Sequence, residues 1–164
     1  MARKSGGGTP ATVALDRAGV PYTLHPYAHD PQSSHFGDEA AAALGVDRSR
    51  IFKTLVADAG GELVVAVVPV AAQLDLKALA TVVGTKRAAL ADPAAASRTT
   101  GYVVGGISPL GQRARLRTLL DDSAERFDTI FVSAGKRGLQ VELAPADLVR
   151  LTGAELASLR LLVR

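Results

Sequence analysis

The chain has 164 residues, 48% of them hydrophobic and 21% charged, which suits one soluble globular domain with a core of its own and excludes a disordered or fibrous protein. It has no cysteine, which excludes a disulfide framework, a thiolate nucleophile and any Cys-ligated metal centre. A net charge of +3 permits a polyanionic partner without identifying one. No apolar run reaches bilayer length and no signal-peptide pattern opens the chain, so a cytoplasmic protein with no membrane contact is expected.

Residues 1–8 (MARKSGGG) read as a basic, glycine-rich tail, and residues 9–164 as the domain. Thr9 and Pro10 open a helix that runs to Ala18, before Gly19. Tyr22 to Tyr27 is extended, with Pro26 confining it to an edge. After the loop HDPQSSHFG, Asp38 to Leu44 forms a helix closed by Gly45. Ile51–Ala57 and Leu63–Val70 are predicted strands of a hairpin turned by Gly60-Gly61. Asp75 caps a helix that ends at Gly84, and a short strand near Arg87–Leu90 leads to a helix from Asp92-Pro93.

Gly101 to Gly111 (GYVVGGISPLG) is too broken by glycine to be helical. Strands are predicted over 115–120, 129–133 and 139–143, a helix from Pro145 to Leu151, and a closing strand over Leu159–Val163. Interspersed helices and strands with at least one hairpin give a single mixed α/β domain.

Several familiar sites are missing. Gly111 is followed by Gln112-Arg113 rather than Lys-Ser/Thr, so the glycine-rich stretch is no phosphate-binding P-loop. No Gly-x-Ser-x-Gly elbow supports a serine nucleophile. His25, His29 and His35, with Asp30 and Asp38 nearby, match no metal-ligand spacing and read as polar loop residues; no metal or cofactor is expected.

Five segments in register resemble the YbaK/EbsC family, whose fold is related to the editing domain of bacterial prolyl-tRNA synthetases. They are HDP (29–31), HFGDEAA (35–41), FKTL (52–55), TGYVVGGISPLGQ (100–112) and VSAGKRG (132–138). The sequence contains no synthetase catalytic or anticodon-binding portion, so the likeness is to the free-standing members. The resemblance implies a YbaK-type α/β fold with a mixed, partly barrel-like sheet and a trans-editing hydrolase acting on cysteinyl-tRNA(Pro). It further implies prolyl-tRNA synthetase as partner and cysteinyl-tRNA(Cys) as a further substrate when nothing supplies the choice of tRNA. A monomer or weak homo-oligomer is expected. Alternatives are an alanyl-tRNA(Pro) deacylase, a non-catalytic aminoacyl-tRNA or nucleotide-binding module, and a metal-dependent hydrolase using the histidines.

Lys53 lies in an apolar strand, with Phe52 and Thr54 on the opposite face. On pattern alone it reads as an edge-strand cation facing water; the resemblance makes it the family's essential lysine, anchoring the tRNA end. The resemblance likewise makes Gly105, Gly106, Ile107, Ser108 and Pro109 a substrate loop whose amides hold the ester or ribose, where the pattern alone gives a turn. Tyr27 and Phe36, two of three Tyr and four Phe, are pocket or adenosine-stacking candidates, with core packing as the alternative. Thr54, Ser133 and Gly135 are further pocket candidates. Arg113, Arg115 and Arg117, expected on one strand face, join Lys136 and Arg137 as phosphate contacts or a solvated surface. In this family the cysteine thiol is thought to attack its own ester and leave as a thiolactone, which suits a protein without a nucleophile.

Overall fold

Helix α1, Pro10–Ala18, is fixed at both ends by its own sequence in the computed structural model, which describes residues 8–161. The Thr12 amide donates to Thr9 Oγ1 at 3.2 Å and the Thr9 amide donates to Thr12 Oγ1 at 2.9 Å, a reciprocal cap. The Thr9 hydroxyl also donates to the Ala134 carbonyl, tying the helix start to a strand over a hundred residues away. The tail expected over residues 1–8 lies outside the described residues apart from Gly8.

The remaining elements are β1 (Thr23–Pro26), α2 (Phe36–Leu44), β2 (Phe52–Ala59), β3 (Glu62–Pro69), α3 (Leu76–Val83), β4 (Ala88–Leu90), α4 (Pro93–Thr100), β5 (Arg117–Asp121), β6 (Ile130–Lys136), β7 (Leu139–Leu143), α5 (Pro145–Thr152) and β8 (Glu155–Ala157). They form two sheets, an antiparallel one in order β1-β7-β6 and a mixed one in order β4-β2-β3-β5-β8. A parallel bridge from Ile51 to Phe131 joins the two sheets, which do not close into a barrel.

Strand β3 is buried on both faces, which is why its sequence is a valine run without polar alternation. Val65 and Val67 face the main core with Phe52, Leu120, Ile130, Val132 and Val141, between the sheets and under α1. Val64, Ala66 and Val68 face the opposite way, against Leu79 of α3, Leu119 and Leu159. Each such fully buried side chain contributes about 1.5–3 kcal/mol. A third cluster packs Ala40 and Ala41 of α2 on Ile51, Val70 and Phe131, seating α2 beside the start of β2. Among the described residues no helix is long and apolar enough to cross a membrane.

Two expectations are corrected. The closing strand is β8 at 155–157, parallel to β5, and the described part of the expected 159–163, residues 159–161, forms no strand. The Leu159 amide donates to the buried Asp121 carboxylate at 2.8 Å and its carbonyl accepts from the Asp75 amide, so its backbone is spent on side-chain and cap bonds. Only Arg160 makes a single bridge, to Leu74, and residues 162–164 lie outside the described residues. Nor do Arg113, Arg115 and Arg117 share a strand face. The amides at 113 and 114 bond back to the carbonyls of Thr100 and Thr99 at the end of α4, so β5 starts only at Arg117.

Candidate functional site

Strand β2 lies inside its sheet, yet only part of its outer edge is covered. Strand β4 pairs with Ala57–Ala59 alone, and the bridge to β6 reaches only Ile51. Between them no strand pairs with the outer edge of β2 over Phe52–Leu55 among the described residues, and the Ala91 amide reaches the Val56 carbonyl. A cleft of about 440 Å³ occupies that gap. Because the edge is bare, side chains from both faces of β2 reach the cleft, and Lys53 and Thr54 line it together.

Lys53 is half-buried, and its side chain makes no hydrogen bond or ion pair among the described residues. Burial pushes its ammonium below the ordinary lysine range. The Asp38 carboxylate opposes that shift, and Arg48 adds to it. Asp38 also lines the cleft and is itself gripped by Arg48 Nε at 2.7 Å. The result is a partly desolvated cation whose charge is not spent on a partner.

Two buried polar atoms in the cleft lining have no partner, Thr54 Oγ1 and Gln140 Oε1. A buried polar group left unpaired costs about 1–3 kcal/mol, so two in one cleft favour a ligand with polar groups to match. Gln140 of β7 stands opposite Ser133 of β6 in the strand register, and both line the cleft. Just after Ser133 the pairing shifts in a bulge that ends at Lys136, where the Gly135 amide donates to Ser133 Oγ at 3.1 Å.

The glycine-rich loop forms one wall, and Val104, Gly105 and Ile107 line the cleft. Gly105 has φ +90°, and a Cβ there would come within 2.9 Å of the Phe36 ring. Gly106 packs on the β6 bulge, where a Cβ would stand 2.8 Å from Lys136 Cα. Ser108 and Pro109 are buried behind the wall. Ser108 Oγ accepts from the Leu110 amide, and the Tyr102 hydroxyl donates to the Leu110 carbonyl at 2.5 Å. Burial pushes the Tyr102 hydroxyl up to about 12, so it stays a donor at any working pH.

Phe36, at the start of α2, lies under the Arg137 guanidinium at 4.7 Å, and Arg137 Nε and Nη2 both donate to the Val104 carbonyl, at 3.0 and 2.7 Å. This stack binds helix, bulge and loop into one rim. The preceding HDP loop is held by Glu39, which takes the Asp30 amide at 2.6 Å and His29 Nδ1 at 2.7 Å. Those two bonds, the Asp30 amide foremost, hold the Glu39 carboxyl below the ordinary carboxylate range.

The structure thus brings Lys53, Phe36, Thr54, Gly105, Ile107 and Ser133 to one cleft. Gly106, Ser108 and Pro109 stand behind them. Gly135 packs toward Tyr102 and Thr9, and Tyr27 packs on the cluster beneath α2, so neither lines the cleft. Arg137 is at the rim, next to the exposed Lys136. Arg117 is elsewhere, paired with Glu155 at 2.7 Å, and Arg113 contacts the Arg98 carbonyl near the end of α4. Arg115 lies by Gly153. The histidines are dispersed: His25 pairs with Glu142, His29 with Glu39, and His35 lines the cleft mouth. Among the described residues no group of three or more acidic, His or Cys side chains is placed to hold a metal. Sequence reasoning missed Gln140, Leu90, His35 and Asp38 as lining residues. His35 and Asp38 stand in the segment HFGDEAA and read there as polar loop residues, and the polar Gln140 between Leu139 and Val141 reads equally as a solvated strand position.

Residues 31–151 match the family model described as the aminoacyl-tRNA editing domain. EbsC of Enterococcus faecalis, named for Cys-tRNA(Pro)/Cys-tRNA(Cys) deacylation, is 39% identical over 154 residues, 92% of each chain. The Ser/Thr-tRNA deacylase ProXp-y of Escherichia coli is 34% identical over 119 residues, 72% of this chain and 71% of its own. A solved structure described as trans-editing for prolyl-tRNA synthetase superposes with a TM-score of 0.83 at 26% identity, over 97% of this chain and 99% of that one. The chain belongs to the aminoacyl-tRNA editing domain family.

Proposed function

We propose that the protein is a trans-editing hydrolase that deacylates cysteinyl-tRNA(Pro). The observation that carries this reading is the unpartnered, half-buried Lys53 beside two unpaired polar atoms in one cleft, in a chain 39% identical to EbsC. An aminoacyl ester carries an α-ammonium group, which supplies the donors that Gln140 Oε1 and Thr54 Oγ1 lack. Bound that way, its carbonyl lies near the Lys53 ammonium and the amides of the glycine-rich wall, which stabilise negative charge as it develops.

The cleft holds no cysteine and no serine paired with a base, which suits the route that the family resemblance implies, in which the substrate supplies the nucleophile. The cysteine thiol sulfur attacks its own ester carbonyl carbon, the bond from that carbon to the ribose oxygen breaks, and the thiol proton ends on that oxygen. The products are free tRNA and a cyclic thiolactone, which water then opens. Proline carries no thiol and escapes. Lys53 positions the tRNA end throughout. Prolyl-tRNA synthetase is the partner that selects the tRNA, because the cleft reads an amino acid and its ribose rather than an anticodon; without that partner, cysteinyl-tRNA(Cys) is cleaved as well.

The test is release of amino acid from tRNA(Pro) charged with cysteine, S-methylcysteine, alanine or serine. Rapid loss of cysteine with the S-methyl ester stable supports the reading. Rapid loss of the S-methyl ester sinks the thiol route, and faster loss of alanine or serine than of cysteine reassigns the substrate. The serine arm has a specific motive, the 34% identity to a Ser/Thr-tRNA deacylase.

A further inference from the structure

Strand β4 is an edge of its sheet, and one side of its backbone has no neighbour. The Ala91 amide donates to the Val56 carbonyl, and the Arg87 carbonyl accepts from the Gly60 amide. In this antiparallel ladder residues 87, 89 and 91 therefore turn their backbone groups toward β2, and Ala88 and Leu90 turn theirs outward. Nothing bonds to those outward groups among the described residues. The Leu90 side chain is 58% exposed. A groove of about 540 Å³, lined by Asp58, Leu63, Arg87, Ala89, Asp92 and Ala95, adjoins the strand. A lysine commonly guards such an edge, because a strand that pairs there must accommodate the charge. Lys86 stands at one end of this edge, but Asp92 stands at the other. Both are exposed, and neither is in an ion pair among the described residues.

We propose that β4 pairs antiparallel with β4 of a second copy of this chain, across a two-fold axis centred on Ala89. In that register Ala88 of each copy faces Leu90 of the other, so the outward amides and carbonyls satisfy one another. Lys86 of each copy faces Asp92 of the other. No other two-fold register that joins the outward groups sets these charges opposite, so the lysine that deters foreign strands locks this one in place. Ala88 packs on the cluster that holds Leu79 of α3, and Leu90 shares its face of the strand. Leu90 of the second copy thereby comes to rest beside that cluster and loses its exposure to water. The contact is isologous, each copy offering the same strand. The proposal does not depend on the editing reading.

The experiment is sedimentation equilibrium of the full chain, as wild type, Lys86→Asp, Asp92→Lys and an equimolar mixture of the two variants. Wild type is expected to dimerise with a Kd on the order of 100 µM, as suits a contact of one short strand. Each variant alone sets like charges opposite each other and should raise that Kd by about tenfold or more. The mixture should dimerise as wild type does, because every substituted position then faces its opposite charge. Asp92→Lys also removes the cap on the Ala95 amide, so thermal melts check its fold. If it does not fold, Ala88→Pro takes its place as a variant expected to stay monomeric, since it deletes an outward amide and no bond to β2. A wild type still monomeric at about 1 mM would overturn the proposal. Single variants that dimerise as wild type does, or a mixture that stays monomeric, would overturn it too.

Discussion

Two cationic side chains stand in strands of the same sheet and meet opposite fates. Arg117 on β5 grips both oxygens of Glu155, at 2.7 and 3.0 Å, and reaches the carbonyls of Val82 and Val83, so its charge is consumed in joining β5, β8 and α3. Lys53 on β2 has a cleft in front of it, a carboxylate nearby that Arg48 already occupies, and no bond of its own among the described residues. The difference comes from the neighbouring strand. Where a strand edge is covered, a cation becomes structural; where β4 stops short, the cation is left for a ligand.

The sharpest way to break this contrast is Lys53→Ala, expected to lower kcat/KM for cysteinyl-tRNA(Pro) by about 100- to 1000-fold, the usual cost of losing one charge-stabilising group. Retention of more than a tenth of the activity would mean that Lys53 is as dispensable as a surface cation. Gln140→Leu separates ligand from fold: about tenfold or greater loss of deacylation, with a thermal midpoint unchanged or raised, because the substitution removes an unpaired buried acceptor. Loss of stability together with activity would mean that the amide is structural.

The pH profile sharpens the comparison further. Burial lowers the Lys53 pKa, so the ammonium is lost as pH rises through a value below the ordinary lysine range, and kcat/KM should fall there. Lys53→Arg should move that limb upward, and a limb that stays put would belong to another group. Gly106→Ala, which forces a Cβ against Lys136 Cα, should cost about 1–3 kcal/mol in urea melts and weaken deacylation by displacing the wall. The smallest effect is expected from Arg117→Ala, a thermal midpoint close to that of wild type, because the pair with Glu155 is solvent-screened, and less than a twofold change in deacylation.

The elements with strong local punctuation were legible in the sequence. Thr9-Pro10 and Gly19 bracket α1, Asp75 and Gly84 bracket α3, and Gly60-Gly61 turns the β2–β3 hairpin. Lys53 was legible as an anomaly, but its meaning was not, since an edge lysine and a cleft lysine have the same pattern until the length of β4 is known. Gln140 alternates with Leu139 and Val141 as a solvated residue would, and its burial comes from the β6 bulge and the opposite wall. The arginines at 113, 115 and 117 misled for the converse reason: spacing two defines a face only where a strand exists, and backbone bonds to α4 delay β5 until Arg117. The register between sheets, which sets the cleft, rests on contacts distant in sequence and leaves no local mark.

The decisive measurement is single-turnover deacylation of cysteinyl-tRNA(Pro), in the presence of a metal chelator, by wild type, Lys53→Ala and Arg117→Ala side by side. Rapid release by wild type and Arg117→Ala, with Lys53→Ala near the buffer rate and still folded, is the expected result. Equal rates for Lys53→Ala and wild type, or abolition by the chelator, would contradict the assignment of the chemistry to the unpartnered lysine in the cleft.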